Sequence, residues 1–171
     1  MDAPRPRTSH QRKYVGTGDF LTVVAPVAVQ ARAKAFGATV NGEYVLLSPK
    51  PLKVDENGLR FHGTAAYARP NQLALFEGTL LALNGMAIRR DGGEFGISAS
   101  QQANGTLAGR IVGRSGGTIR LTPPVGFDTS RCQVKVNGAV VPHKLESGAI
   151  RFNVHISQSE APKSYTIIAG Q

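Results

Sequence analysis

Residues 150–156, which read Ile-Arg-Phe-Asn-Val-His-Ile, alternate apolar and polar side chains without a break. Successive side chains of a β-strand point to opposite faces, so this segment would bury one face and leave the other in water. Residues 59–62 (Leu-Arg-Phe-His) and 119–122 (Ile-Arg-Leu-Thr) alternate in the same way. The pattern predicts antiparallel strands that each cover a core with one face.

Turn sequences separate these strands at short intervals. The dipeptide Asn-Gly occurs five times, at residues 41–42, 57–58, 84–85, 104–105 and 137–138. Both residues tolerate the positive φ that the tight type I′ hairpin turn requires at its two central positions. With Asp91-Gly92-Gly93 and Gly116-Gly117 added, the turns approach the spacing of about 8–12 residues that is typical of a sandwich.

A helical period is absent from the sequence. The best helical candidate, residues 27–36, is rich in alanine but lies between Pro26 and Gly37, and we interpret it as strand or irregular structure. The sequence predicts an all-β, antiparallel β-sandwich of about a dozen strands, hairpin-rich and with no significant helix. We expect residues 1–13 to form a flexible basic tail and residues 14–171 the sandwich domain, with a subdivision near residues 123–130.

The core is expected to contain the apolar side chains that face inward on the alternating strands. These are Phe61, Phe76, Leu121, Val134, Val136, Phe152 and Val154.

Charge and composition restrict the partners. The 171 residues include 20 basic and 11 acidic side chains, a formal net charge of +9, which favours polyanions such as acidic polysaccharide. The apolar runs are too short to span a membrane, and the basic start lacks the apolar segment of a secretory signal. The chain has no Trp, on which stacking sites for sugars and single-stranded nucleic acids often depend, and nucleic acid is disfavoured as a partner.

The single cysteine, Cys132, excludes an internal disulfide and a cysteine-based metal cage. It neighbours the alternating Val134 and Val136, and we interpret it as a small buried hydrophobe with no His implied nearby. A metal site at His10 would need partners that do not lie within local reach. Nothing in the sequence indicates a cofactor or a metal.

The polar face of residues 150–156 is the strongest binding candidate. Arg151, Asn153 and His155 project in a row, about 7 Å apart by strand geometry. On other strands, the outward-facing positions are occupied by Arg60, His62, Arg120 and Lys135. If those strands are neighbours, a basic sheet face results that suits carboxylate or sulfate groups. The alternative is the ordinary wet face of an antiparallel sheet.

No set of residues marks a catalytic centre. His62 and Tyr67 are expected on neighbouring strands, where a His/Tyr pair can act as base and acid in a proton abstraction. The alternative is that both are surface residues of a hairpin.

Three segments resemble the β-sandwich that follows the catalytic helical toroid in heparinase II/III-type and related polysaccharide lyases. The run at residues 16–26, GTGDFLTVVAP, is similar to one strand of that sandwich. Residues 75–85, LFEGTLLALNG, and 134–138, VKVNG, are similar to two of its hairpins. The resemblance implies a sandwich fold and a periplasmic or secreted location. It transfers no catalytic residue, because those come chiefly from the toroid, which this sequence does not contain.

The resemblance implies an accessory or supporting domain of a lyase that acts on acidic polysaccharide, inactive alone. Its partners would be the polysaccharide and a missing catalytic domain or subunit, and the chain would be a truncated gene product or a split subunit. Two alternatives remain open. One is a free-standing structural or interaction β-sandwich with no carbohydrate role, and the other is an enzyme that uses Arg60, His62 and Tyr67.

Overall fold

The computed structural model of the chain describes residues 31–34, 37–40, 43–157 and 161–170. These residues contain strands and no helix, and every pairing is antiparallel, which confirms the all-β prediction. The expectations for the tail 1–13, for the segment 16–26, and for His10 lie outside the described residues. The strands are β1 (Ala31–Lys34), β2 (Gly37–Val40), β3 (Glu43–Glu56), β4 (Leu59–Arg69), β5 (Gln72–Leu83), β6 (Met86–Asp91), β7 (Phe95–Gln101), β8 (Leu107–Gly113), β9 (Gly117–Thr122), β10 (Gln133–Val136), β11 (Ala139–Val140), β12 (His143–Glu146), β13 (Ala149–Val154) and β14 (Lys163–Ile168).

The strands form one continuous sheet that branches at β5. The first part of β5, residues 72–75, pairs with β7, and its last part, residues 80–83, pairs with β6. One wing continues through β7, β8, β14, β10 and β11, and the other through β6, β9, β13 and β12. On the other edge of β5, the sheet continues through β4 and then β3, so both wings belong to one strongly curled sheet.

The branch depends on a pair of glycines. Gly63 of β4 lies opposite Gly78 of β5, and register shifts surround this pair. A Cβ on Gly63 would lie 2.2 Å from the Glu77 carbonyl oxygen, so no other residue fits this approach of the two backbones. Irregular pairing of this kind bends strands and increases their twist, which lets β4 and β5 serve both wings.

The wings share one hydrophobic core. Phe61, Leu121, Val134, Phe152 and Val154 are buried as predicted, and Val136 packs against the core from its edge. The ring of Phe152 in one wing lies 5.8 Å, centroid to centroid, from that of Tyr165 in the other.

The prediction for Phe76 is wrong, because 56% of its surface is exposed. The β4–β5 pairing passes from Ala65–Glu77 to Ala66–Leu75, so Phe76 is an extra residue in a bulge. A bulge interrupts the alternation of faces, and both Phe76 and Glu77 consequently point to solvent.

Most of the expected Asn-Gly hairpins are present. The dipeptides at 57–58, 84–85 and 137–138 have positive φ at both residues and join β3–β4, β5–β6 and β10–β11. At 104–105 only the glycine has positive φ, and residues 41–42 lie outside the described part of the chain. Ser147-Gly148 makes an equivalent turn between β12 and β13, which the sequence reading did not identify.

Cys132 is buried, as expected, and burial raises the pKa of its thiol. The expectation that no histidine lies nearby is wrong, since Sγ is 3.6 Å from Nε2 of His143. Cys132 lies in the connection from β9 of one wing to β10 of the other, and His143 is the first residue of β12. The described residues contain no helix that is long and apolar enough to cross a membrane.

Candidate functional site

A row of basic residues crosses strands β3, β4 and β5 and the wing that contains β6, β9, β13 and β12. It contains one residue from each of seven neighbouring strands, and each residue lies in direct register with the next. In the strand order β3, β4, β5, β6, β9, β13 and β12, these are Lys53, His62, Leu80, Arg89, Arg120, Arg151 and Lys144, all basic except Leu80. We call this set the basic row. Strands lie about 4.8 Å apart, so the row measures roughly 29 Å along the curved sheet.

The basic row lies on the outer face of the sheet. On its five central strands the neighbours along the chain are buried in the core: Phe61, Leu81, Ile88, Leu121 and Ile150. Side chains alternate between faces, so the row points away from the core. Lys53, Arg89 and Lys144 are exposed, and the other members are partly exposed.

Two carboxylates flank the row. Nη1 of Arg151 donates a hydrogen bond of 2.9 Å to Oε1 of Glu146, and Nη1 of Arg120 lies 4.0 Å from Oε2 of the same carboxylate. The hydrogen bond from Arg151 is the main cause of a lowered pKa for Glu146. Nε of Arg120 lies 3.0 Å from Oδ2 of Asp91, but its N–H is not directed at that oxygen. This contact is therefore an ion pair without a hydrogen bond.

The row keeps a positive surplus despite these pairs. Its five permanent cations face two carboxylates, and no ion pair to Lys53, Arg89 or Lys144 occurs within the described part of the chain. Arg89, Arg120 and Arg151 lie directly opposite one another on three adjacent strands. Like charges in this arrangement destabilise a sheet, so the row is an electrostatic cost that two carboxylates only partly relieve.

The structure brings together some of the predicted site residues. Arg120 and Arg151 are register partners, and His62 belongs to the same row three strands from Arg120. Arg60 lies on the same face as His62, opposite Asp55 of β3. Lys135 is remote from all of them, on β10 of the other wing.

Asn153 and His155 extend the face to one side of the row. Asn153 accepts a hydrogen bond of 2.8 Å from the Thr118 hydroxyl, and His155 follows the last residue of β13. Both line a shallow cleft of about 520 Å³.

The sequence did not identify three of the row's cations: Lys53, Arg89 and Lys144. Arg89 follows a recognised hairpin turn, and its outward phase could have been read from the buried Met86 and Ile88. Its position beside Arg120 depends on a pairing between β6 and β9, which are distant in sequence. No local pattern contains that information.

A second feature is an open cleft of about 740 Å³ at the point where β6 and β7 diverge from β5. We call it the branch cleft. Its lining includes the exposed Phe76 and Val112 together with Gly96. Polar side chains form its rim: His62, Thr64, Glu77, Thr79, Arg90, Glu94 and Arg114. His62 therefore belongs both to the basic row and to the branch cleft.

Hydrogen bonds order the polar rim. The Thr64 hydroxyl donates to Oε2 of Glu77 at 2.7 Å, and Oγ1 of Thr79 lies 3.2 Å from Nδ1 of His62. The guanidinium of Arg90 donates to the Phe95 carbonyl and stacks on the Phe95 ring, 5.4 Å from its centroid. Burial lowers the pKa of Arg90.

The proposed acid–base pair of His62 and Tyr67 is not assembled. The expectation of neighbouring strands is wrong, because both residues lie on β4, five positions or roughly 16 Å apart. Tyr67 donates a hydrogen bond of 2.6 Å to Glu43, and burial together with this carboxylate raises the pKa of Tyr67 to about 12. Within the described residues, no cluster of His, Cys, Asp and Glu side chains has the composition of a metal site.

Comparison of the chain with protein-family models, with curated proteins and with solved structures gives no match.

Proposed function

We propose that this chain is a noncatalytic β-sandwich domain that binds an acidic polysaccharide along the basic row, as the supporting domain of a polysaccharide lyase. The observation that carries the proposal is the register of Arg89, Arg120 and Arg151 on three adjacent strands. Like charges directly opposite one another repel, and Asp91 and Glu146 pair with Arg120 and Arg151 without neutralising the whole row. A polymer with a negative charge at regular intervals would neutralise it.

The chemistry of the row suits carboxylate and sulfate groups. An arginine guanidinium binds either group through two parallel hydrogen bonds, and three of them lie within two strand spacings. The row runs roughly 29 Å along the sheet, a length that fits an extended chain rather than a compact ligand. Single-stranded nucleic acid is a poorer match, since such sites use several stacking aromatics and Phe76 is the one strongly exposed aromatic of the described residues.

The lyase context is supported by the resemblance alone. Residues 75–85 and 134–138 form parts of the β5–β6 and β10–β11 hairpins, as the similar segments do in lyase sandwiches. The described residues provide no assembled base and acid, so the catalytic groups would come from another domain or subunit.

We expect Arg89→Gln to weaken binding to heparin about two- to five-fold at low salt, the effect of losing one exposed charge contact. The matched control is Arg131→Gln, which removes the same charge from an exposed turn before β10, off the row. Calorimetric titration at two salt concentrations would measure both. The loss should shrink as salt rises, because exposed charges are screened over about 8 Å at physiological ionic strength.

Equal losses for the two variants would mean that net charge alone drives binding, and the basic row would then have no specific role. No binding of the parent chain to heparin or hyaluronan would instead favour a free-standing structural or interaction domain.

A further inference from the structure

The branch cleft arises from the topology of the sheet. Residues 76–79 of β5 lie between the part that pairs with β7 and the part that pairs with β6, so neither strand covers them. The divergence leaves a depression in the outer face, open to solvent. The cleft is therefore a fixed consequence of the branch rather than an irregularity of a loop.

The floor of the cleft is apolar and nearly flat. Phe76 of β5 and Val112 of β8 are 56% and 55% exposed. Gly96 of β7 pairs with Val112, and a Cβ on Gly96 would lie 3.4 Å from the Cα of Phe76. Gly96 adds no side chain, so the ring of Phe76 stays accessible from this side. An exposed phenyl ring held by a bulge in the middle of a sheet has no role in the core.

The rim of the cleft is polar but balanced in charge. Glu77 and Glu94 offset Arg90 and Arg114, in contrast to the positive surplus of the basic row. Carboxylate, hydroxyl and guanidinium groups around an apolar floor can bond the hydroxyls of a neutral sugar, whose C–H face is apolar. A phosphate or a sulfate would meet the two glutamates here.

The basic row leads into the cleft. His62 is a member of the row, and its ring nitrogen Nδ1 contacts Thr79 inside the cleft. A chain bound along the row would therefore reach Phe76 without leaving the surface.

We propose that the branch cleft is a saccharide subsite in which one uncharged sugar ring stacks on Phe76 while neighbouring acidic residues of the same polymer bind the basic row. This inference rests on the proposed function and defines its ligand class further, as a polysaccharide that contains both acidic and neutral sugars. Glu77 and Thr64 bond the ring hydroxyls, and Gly96 leaves room for the ring.

The test uses a hyaluronan hexasaccharide, which alternates uronate with a neutral amino sugar, and an oligouronate of equal length. We expect Phe76→Ala to weaken hexasaccharide binding about three- to ten-fold, as for the loss of an aromatic stacking contact. The loss should persist at high salt, since stacking is not screened as charge pairs are. Binding of the oligouronate should change little.

Gly96→Thr provides a second variant that removes no binding group. A Cβ at Gly96 meets its nearest atoms at 3.4 Å, an ordinary contact, so the variant should fold while its side chain fills the floor. We expect the same selective loss for the hexasaccharide. Val140→Ala, at an equally exposed apolar residue on β11, is the control and should have no effect.

Normal hexasaccharide binding by both Phe76→Ala and Gly96→Thr would overturn the subsite and leave the basic row intact if Arg89→Gln still weakens binding. An equal loss for oligothymidylate would also overturn it, because the cleft would then stack nucleobases rather than sugar. Absence of binding to any acidic saccharide would instead contradict the proposed function itself.

Discussion

Replacement of Phe152 by alanine is expected to lower the free energy of unfolding by about 3–5 kcal/mol. The side chain is 2% exposed and packs on Tyr165, so it joins the two wings across the core. Its truncation removes apolar contacts from both wings and leaves a cavity that a curled sheet cannot easily close. Urea denaturation followed by fluorescence or circular dichroism would measure the change at constant m-value.

Phe76→Ala is the matched control for this prediction, because both phenylalanines lie in strands of one sheet. An exposed ring contributes little to the core, and we expect a loss within about 0.5–1 kcal/mol. Similar losses for the two variants would contradict the assignment of Phe76 to the outer face and of Phe152 to the core.

Gly109→Ala is expected to destabilise the protein by about 1–3 kcal/mol or more, through overpacking at a site with no free volume. A Cβ at this position of β8 would lie 1.9 Å from the Ser98 carbonyl oxygen and 2.7 Å from Cε1 of Tyr165. The same carbonyl accepts a 2.7 Å hydrogen bond from the buried Tyr165 hydroxyl. Burial raises the pKa of Tyr165, so this hydroxyl stays protonated and needs its acceptor.

Gly96→Ala, on the neighbouring strand β7, is the control for Gly109→Ala. Its Cβ would make only ordinary contacts, and thermal unfolding should show a change of about 0.5 kcal/mol or less. If Gly109→Ala lowered the stability as little as Gly96→Ala, β8 and β14 could not pack closely around Tyr165.

The strands were predictable because their signals are local. Alternation over residues 150–156 identified β13 and its buried face, and three Asn-Gly dipeptides with positive φ identified hairpins. Ser147-Gly148 also has positive φ at both residues, but serine is not a typical residue of this turn. The sequence therefore gave no sign of the hairpin, and β12 was missed. Phe76 was assigned to the core because a bulge has no signature in the alternation that it interrupts.

The candidate site was predictable only in its parts. The outward phase of Arg60, His62, Arg120 and Arg151 followed from strands recognised one at a time. Their arrangement depends on the pairing of β6 with β9 and of β9 with β13, which local sequence does not encode. The branch cleft depends on two strands diverging from a third, a property of the whole sheet.

The central claim is that an acidic polysaccharide contacts the basic row, and amide chemical-shift mapping tests it most directly. A ¹⁵N-labelled chain would be titrated with a heparin hexasaccharide at low salt. The account predicts that the perturbed amides concentrate on β6, β9, β13 and β12, around Arg89, Arg120 and Arg151. Perturbations concentrated on β8, β14 and β10 of the other wing, with no change on β6, β9, β13 and β12, would contradict it.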